Sequence, residues 1–180
     1  MFQDRLNSIA EFIFQHNSYF DAAFPYVAMN ETKGYVSEDE TIVFPNDNLG
    51  DYFYLRLPKN VSFQYSNDYK YNNCKDGIAS RTEVVLVAIV KGGSPDILLS
   101  NMIDSLRAYR QEKITLKSAI YQKEYVLLQE LANIKPESQE AALQRLPESS
   151  AFVSIAFEII EGIVPSKIDC LPNPCTCSTS

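Results

Sequence analysis

The sequence predicts an α+β fold: a mainly antiparallel sheet, an amino-terminal helix, and a second helix packed across one face. Three observations carry this reading. Apolar residues near the start recur every three to four positions, several later segments alternate or run apolar at strand length, and one sharply bounded helical segment lies between them. At 180 residues and 46% hydrophobic, the chain has the size and composition of one globular domain.

Leu6, Ile9, Ala10 and Ile13, with Phe20 beyond them, follow the helical period while Asp4, Glu11 and Gln15 take other faces, so residues 3–16 form an amphipathic helix. From Phe24 to Asp51 the chain mixes Pro25, Gly34, Pro45 and Gly50 with the acidic run Glu38-Asp39-Glu40. That composition predicts a long exposed excursion interrupted by one short strand over Thr41–Phe44. Asp51–Leu57 then sets Phe53, Leu55 and Leu57 against Tyr52, Tyr54 and Arg56, and Val61–Tyr65 repeats the alternation. After the polar run Ser66–Gly77, Thr82–Lys91 is nearly all apolar, as a strand covered on both faces would be.

Gly92-Gly93 ends that strand, Ser94 suits an N-cap, Pro95 suits the first helical position and Asp96 complements the positive helix end. A helix over 95–109 follows, burying Leu98 or Leu99, Met102, Ile103 and Leu106. Next, Ile114, Leu116, Ser118 and Ile120 alternate with Lys113, Thr115, Lys117, Ala119, Tyr121 and Lys123, which predicts a long strand bent or bulged near Lys123–Val126. Residues 137–146, between two prolines, favour a short helix. The closing strand Ala151–Ile160 opposes Phe152, Ser154, Ala156 and Glu158 to Val153, Ile155, Phe157 and Ile159. The expected domain spans residues 1–164, with a long loop or strand excursion within 24–80 and an extended carboxyl-terminal arm over 165–180.

A net charge of -7 disfavours binding nucleic acid through the overall field, and the longest apolar runs fall far short of the roughly 20 residues of a membrane span. The start MFQDRLNSIAEF lacks the unbroken apolar core of a standard signal, so secretion is not expected. Cys170, Cys175 and Cys177 are spaced C-x4-C-x-C rather than as a zinc-ribbon pair, and the only histidine, His16, is at the other end of the chain. Reduced thiols in a Pro/Ser/Thr-rich arm are the main reading, with a metal clip or intersubunit disulfide as the alternative. Phosphate-loop, dinucleotide, nucleophile-elbow and H-E-x-x-H motifs do not occur. His16 reads as a helix-end residue, and Asp39-Glu40 or Glu158 with Glu161 read as exposed carboxylates, so no catalytic, cofactor or metal residue is assigned.

Two features remain. Arg107, Arg110, Lys113, Lys117 and Lys123 stand against Glu112 alone, a local sum of 5 - 1 = +4 in an acidic chain. Such a stripe is either a solvated edge that resists aggregation or a face docking an acidic neighbour. The 11 Tyr and 10 Phe, many of them before residue 72, exceed what a small core needs, which places part of them at subunit contacts. The candidate partner-binding residues are Lys113, Lys117, Tyr121, Lys123, Tyr52, Tyr54, Cys170 and Cys175.

The segments DRLNSIAEFIFQH, DYFYLRL, TEVVLVAIVKGG, SPDILLSNMIDSLRAY, KITLKSAIYQKEY and SAFVSIAFEIIEG follow one another in an order that resembles the tail terminator, or tail-completion, proteins of long-tailed bacteriophages. The resemblance covers residues 1–164 by order of elements; the tyrosine-rich stretch 24–80 and the tail 165–180 depart from it. It implies a non-enzymatic virion protein, assembled in the host cytoplasm, whose copies close into a hexameric ring, or a twelve-fold one if it is a connector. DNA then passes through the ring without sequence-specific binding, and neighbouring neck, portal or tail proteins are the partners, with no cofactor and no membrane. The alternative is a soluble bacterial binding or immunity-like domain, monomeric or dimeric, while an enclosed polar pocket would point to a small hydrolase.

Overall fold

The computed structural model describes residues 2–58, 64–71, 74–146 and 150–163. Its elements are α1 (Phe2–His16), β1 (Ala22–Asn30), β2 (Gly34–Val36), β3 (Ile42–Phe44), β4 (Tyr52–Arg56), β5 (Gln64–Tyr71), β6 (Cys74–Lys91), α2 (Pro95–Ala108), β7 (Lys113–Ile120), α3 (Lys123–Leu131), α4 (Pro136–Leu143) and β8 (Ser150–Ile163). The strands form one mixed sheet in the order β3-β2-β1-β4-β6-β8-β7, with β5 paired to β6 off this path. β1 runs parallel to β4, and the other pairs are antiparallel. This is the predicted α+β class, with both helices in place.

Strand alternation divides the core between the two faces of the sheet. Phe53, Leu55, Val84, Leu86, Val153, Ile155 and Phe157 meet Leu6, Ile9 and Ile13 of α1 and Leu98, Met102 and Leu106 of α2. Tyr52, Tyr54, Val85, Val87, Ile89 and Phe152 point the other way, against Tyr35 of β2, Val43 and Phe44 of β3, and Val126 of α3. Both faces are therefore covered, which is why β6 reads as an almost unbroken apolar run. The start of α2 follows from Pro95 in its first turn and from the Ser94 carbonyl, which accepts from Leu98 N at 3.0 Å; the Ser94 side chain makes no capping bond.

Three expectations change. The stretch from Phe24 to Asp51 is not an excursion with one short strand, because nearly half of it lies in β1, β2 and β3, which join the sheet. Pro25 falls where the β1–β4 register shifts, between Phe24 and Val27, so it interrupts a ladder that resumes beyond it. Gly34, at φ 96°, lets the chain turn so close to β3 that an added Cβ would collide with the Phe44 carbonyl oxygen. Secondly, residues 123–126 are not a bulged strand: β7 stops at Ile120 and α3 follows, with Val126 and Glu130 one helical turn apart and both buried. The irregularity lies earlier, between Leu116 and Ser118, and it reverses the faces. Ile114 and Leu116 pack on the α1–α2 side, while Ile120 packs on the α3 side.

Thirdly, the strand expected over Thr82–Lys91 begins at Cys74, because the polar run Ser66–Gly77 supplies most of β5 and the start of β6, which pair with each other. An 18-residue strand extends about 60 Å, against roughly 40 Å for the breadth of a compact domain of this length. β5 pairs with β6 from Arg81 to Cys74, while β8 pairs with β6 as far as Ile78, so the β5–β6 hairpin continues past β8 only over Cys74–Gly77, about 13 Å. Residues 61–63 of the expected preceding strand lie outside the described residues, as do the arm 165–180 and its candidates Cys170 and Cys175.

Candidate functional site

The tyrosines expected at subunit contacts are core residues. Tyr52 and Tyr54 are 0% exposed, because β4 lies between β1 and β6 and its far face is roofed by β2, β3 and α3. Around them is a buried charged network. Glu130, also 0% exposed, accepts from Arg56 Nη2 at 2.6 Å and Arg56 Nε at 3.0 Å, and from the Tyr54 hydroxyl at 2.8 Å. The Arg56 guanidinium lies 5.3 Å from the Tyr35 ring centroid, and Asn133 Nδ2 donates to the Tyr35 hydroxyl at 3.2 Å.

Burial penalises the Tyr54 phenolate, and the Glu130 charge adds to it, so its hydroxyl is held well above the usual tyrosine range. Tyr35 is pushed up to about 12 for the same two reasons. For Arg56 burial acts downward, but the Glu130 carboxylate outweighs it and keeps the guanidinium charged. Satisfied on several sides, this network ties α3 to β4.

Beside it is a cavity of about 300 Å³ lined in part by Arg56, Glu83, Ser118, Gln129, Asn133 and Ser154. Among the described residues no group of three His, Cys, Asp or Glu is placed to hold a metal ion. His16 is at the end of α1, its ring stacked on Phe12 at 3.9 Å and its Nδ1 2.9 Å from the Phe12 carbonyl oxygen.

The basic stripe and Tyr121 gather on the outer strand and its flank. β7 ends the sheet, paired with β8 on one side and with no strand on the other among the described residues. Lys113 is exposed. Lys117, in the irregular stretch of β7, reaches Glu158 Oε1 at 3.1 Å, and Arg81 Nη1 approaches Glu158 Oε2 at 3.5 Å. The second contact is an ion-pair distance without hydrogen-bond geometry, and Glu158 Oε2 and Arg81 Nε lack hydrogen-bond partners among the described residues. These two cations offset the opposed carboxylates of Glu83 and Glu158, which face each other across β6 and β8. Lys123 is in the first turn of α3, 5.2 Å from the Phe152 ring centroid.

Between the β7 edge and α3 runs an apolar groove of about 430 Å³ lined by Ala119, Ile120, Tyr121, Tyr125 and Leu128. Tyr121 is 42%, Tyr125 58% and Leu128 68% exposed, an unusual outlay of apolar area for one short stretch. Tyr125, Leu128 and the buried Glu130 escape the sequence reading because strand alternation extended past Ile120 hides the helix. The signal was there: in KEYVLLQEL, Val126 and Glu130 share a helical face while Tyr125 and Leu128 share another. Compared with known proteins, the chain matches no family model and no curated sequence.

Proposed function

We propose that this chain is a non-enzymatic structural subunit that assembles into a closed ring at the neck or tail end of a long-tailed bacteriophage. In this reading it acts as a tail terminator or connector, around a DNA channel and without reading sequence. The observation that carries this reading is the β7 edge, unpaired among the described residues, with exposed Tyr121, Tyr125 and Leu128 at its carboxyl-terminal end and Lys113 and Lys117 further back along the strand. A free edge with an apolar shoulder favours self-association unless a partner covers it, and lysines on that edge select which partner it accepts. The end of the β5–β6 hairpin supports the same reading, since the strand pair extends past the last residue of β8 that pairs with β6 and offers backbone edges to a neighbour.

A soluble binding domain, monomeric or dimeric, remains the second reading, favoured by one observation: Tyr52 and Tyr54 are spent on the core rather than on contacts. Light scattering of the purified full chain, with mass analysis of assembled particles, separates the two. A closed oligomer of six or twelve copies, or a fixed copy number in the particle, is expected. A strict monomer at high concentration that is also absent from particles overturns the ring.

A further inference from the structure

We propose that the apolar groove between the end of β7 and α3 receives the proline-bearing segment Leu171–Pro174 of a second copy of this chain. The inference rests on the ring reading above and supplies a contact for it. Ile120, Tyr121, Gln122, Tyr125, Leu128 and Gln129 line the groove, and all but Ile120 are exposed.

The chemistry of the groove selects its occupant. Two tyrosine rings and a leucine form the apolar surface, and among the described residues the lining holds no charged side chain. The polar groups at hand are the Gln122 and Gln129 amides and the tyrosine hydroxyls, and the Gln122 side chain makes no capping bond to α3. An aromatic-lined groove with neutral donors is what a polyproline II segment needs, because that backbone makes no internal hydrogen bonds and leaves its carbonyls seeking donors. Pro172 and Pro174 are the one pair of prolines two residues apart in the sequence. Proline fixes its own φ, lacks an N–H and pushes the residue before it out of the helical region. Pro172 and Pro174 therefore restrict Leu171 and Asn173 as well as themselves, so the segment loses little freedom on docking, and Leu171 adds an apolar side chain.

Reach assigns the segment to another copy. β8 pairs Ser154 with Ile120 beside the groove and runs away from it, so Ile163, nine residues on, is about 30 Å distant. Pro172 follows Ile163 by another nine residues, which span at most about 30–32 Å when fully extended. The chain would have to reverse direction at once and return straight, with a strand spacing of about 5 Å still to cross, so its own groove leaves it no slack. A neighbour's groove carries no such restriction. A segment-to-groove contact joins unlike surfaces and, repeated by rotation, closes a ring.

The test uses sedimentation velocity of the full chain with reductant present. Leu171→Asp with Pro172→Gly and Pro174→Gly disables the segment; Tyr125→Ala with Leu128→Asp disables the groove at two exposed side chains. Each variant alone should be monomeric with the wild-type melting temperature. Mixed in equal amounts, the two should form a heterodimer and nothing larger, because the groove variant's intact segment fills the segment variant's intact groove while the reverse contact is disabled. A labelled synthetic peptide of residues 164–180 should bind the segment variant in fluorescence anisotropy, and the groove variant about tenfold more weakly or less. Excess peptide should also take the wild-type oligomer apart, a readout that needs no variant to fold. A wild-type oligomer that persists in either variant or in excess peptide, or a peptide that binds both variants equally or neither, overturns this contact and leaves the ring reading standing. A wild type that never assembles overturns the ring reading itself, and this contact between copies with it.

Discussion

Replacing Glu130 by Ala tests whether the buried network holds α3 on the sheet. The substitution leaves the Arg56 guanidinium, only 7% exposed, without its counter-charge, and removes the acceptor of the fully buried Tyr54 hydroxyl. Breaking one side of a buried ion pair costs about 3–5 kcal/mol. An orphaned buried hydroxyl costs about 1–3 kcal/mol. The two losses overlap, since Arg56 and Tyr54 share one carboxylate, so about 4 kcal/mol is the expected total. That is a large part of the roughly 5–15 kcal/mol available to a domain, and it lowers Tm by about 8–16 °C at this chain length. Urea unfolding followed by circular dichroism, at fixed protein concentration and with the m-value checked, measures it. Arg56→Met with Glu130→Leu and Tyr54→Phe, which removes the carboxylate together with both of its donors, should fall within about 2 kcal/mol of wild type or exceed it. A Glu130→Ala loss below about 1 kcal/mol, the range of a solvated pair, would refute the reasoning.

Further outcomes follow from the same packing. Gly34→Ala should destabilise by more than about 2 kcal/mol, because its φ of 96° and the nearby Phe44 carbonyl and Pro45 ring (Cδ at 2.8 Å) both exclude a Cβ; a chemical melt checks this. Stability should fall at alkaline pH. Tyr35 is raised from 10.0 to about 12 and Tyr54 is held well above its ordinary value, so the contribution of both is complete below pH 10, and that of Tyr35 is lost as pH rises through about 12. Phenolate absorbance should therefore appear together with loss of the far-ultraviolet signal, and free titration of these tyrosines in the folded state would contradict their burial. Leu128→Asp, at a side chain on the open groove, should change folding stability by less than about 0.5 kcal/mol yet reduce assembly in light scattering; a large fall in Tm would place Leu128 in the core instead.

Periodicity and local chemistry made much of this protein legible in its amino-acid order. The helical repeat of Leu6, Ile9 and Ile13, the Gly92–Asp96 boundary and the opposed faces of β8 are properties of neighbouring residues, and all recur in the fold. What neighbours do not encode is pairing across distance. Pro25 and Gly34 signal a break in a ladder as readily as a loop, and only the parallel placement of β1 beside β4 makes the stretch between them part of the sheet. The shift between Leu116 and Ser118 is likewise a matter of what β8 offers opposite, so the change of face, and the helix after it, followed from tertiary contacts. Tyr52 and Tyr54 have polar tips that suit an interface or a core equally; Glu130, 74 to 76 residues away in sequence, decides for the core by accepting from Arg56 and Tyr54. The lysines of β7 were visible as a stripe, but that they lie on the last strand, at the end of the sheet away from the acidic β2–β3 turn, depends on strand order. Strand order is fixed by the packing of both faces together, a long-range quantity that no local pattern contains.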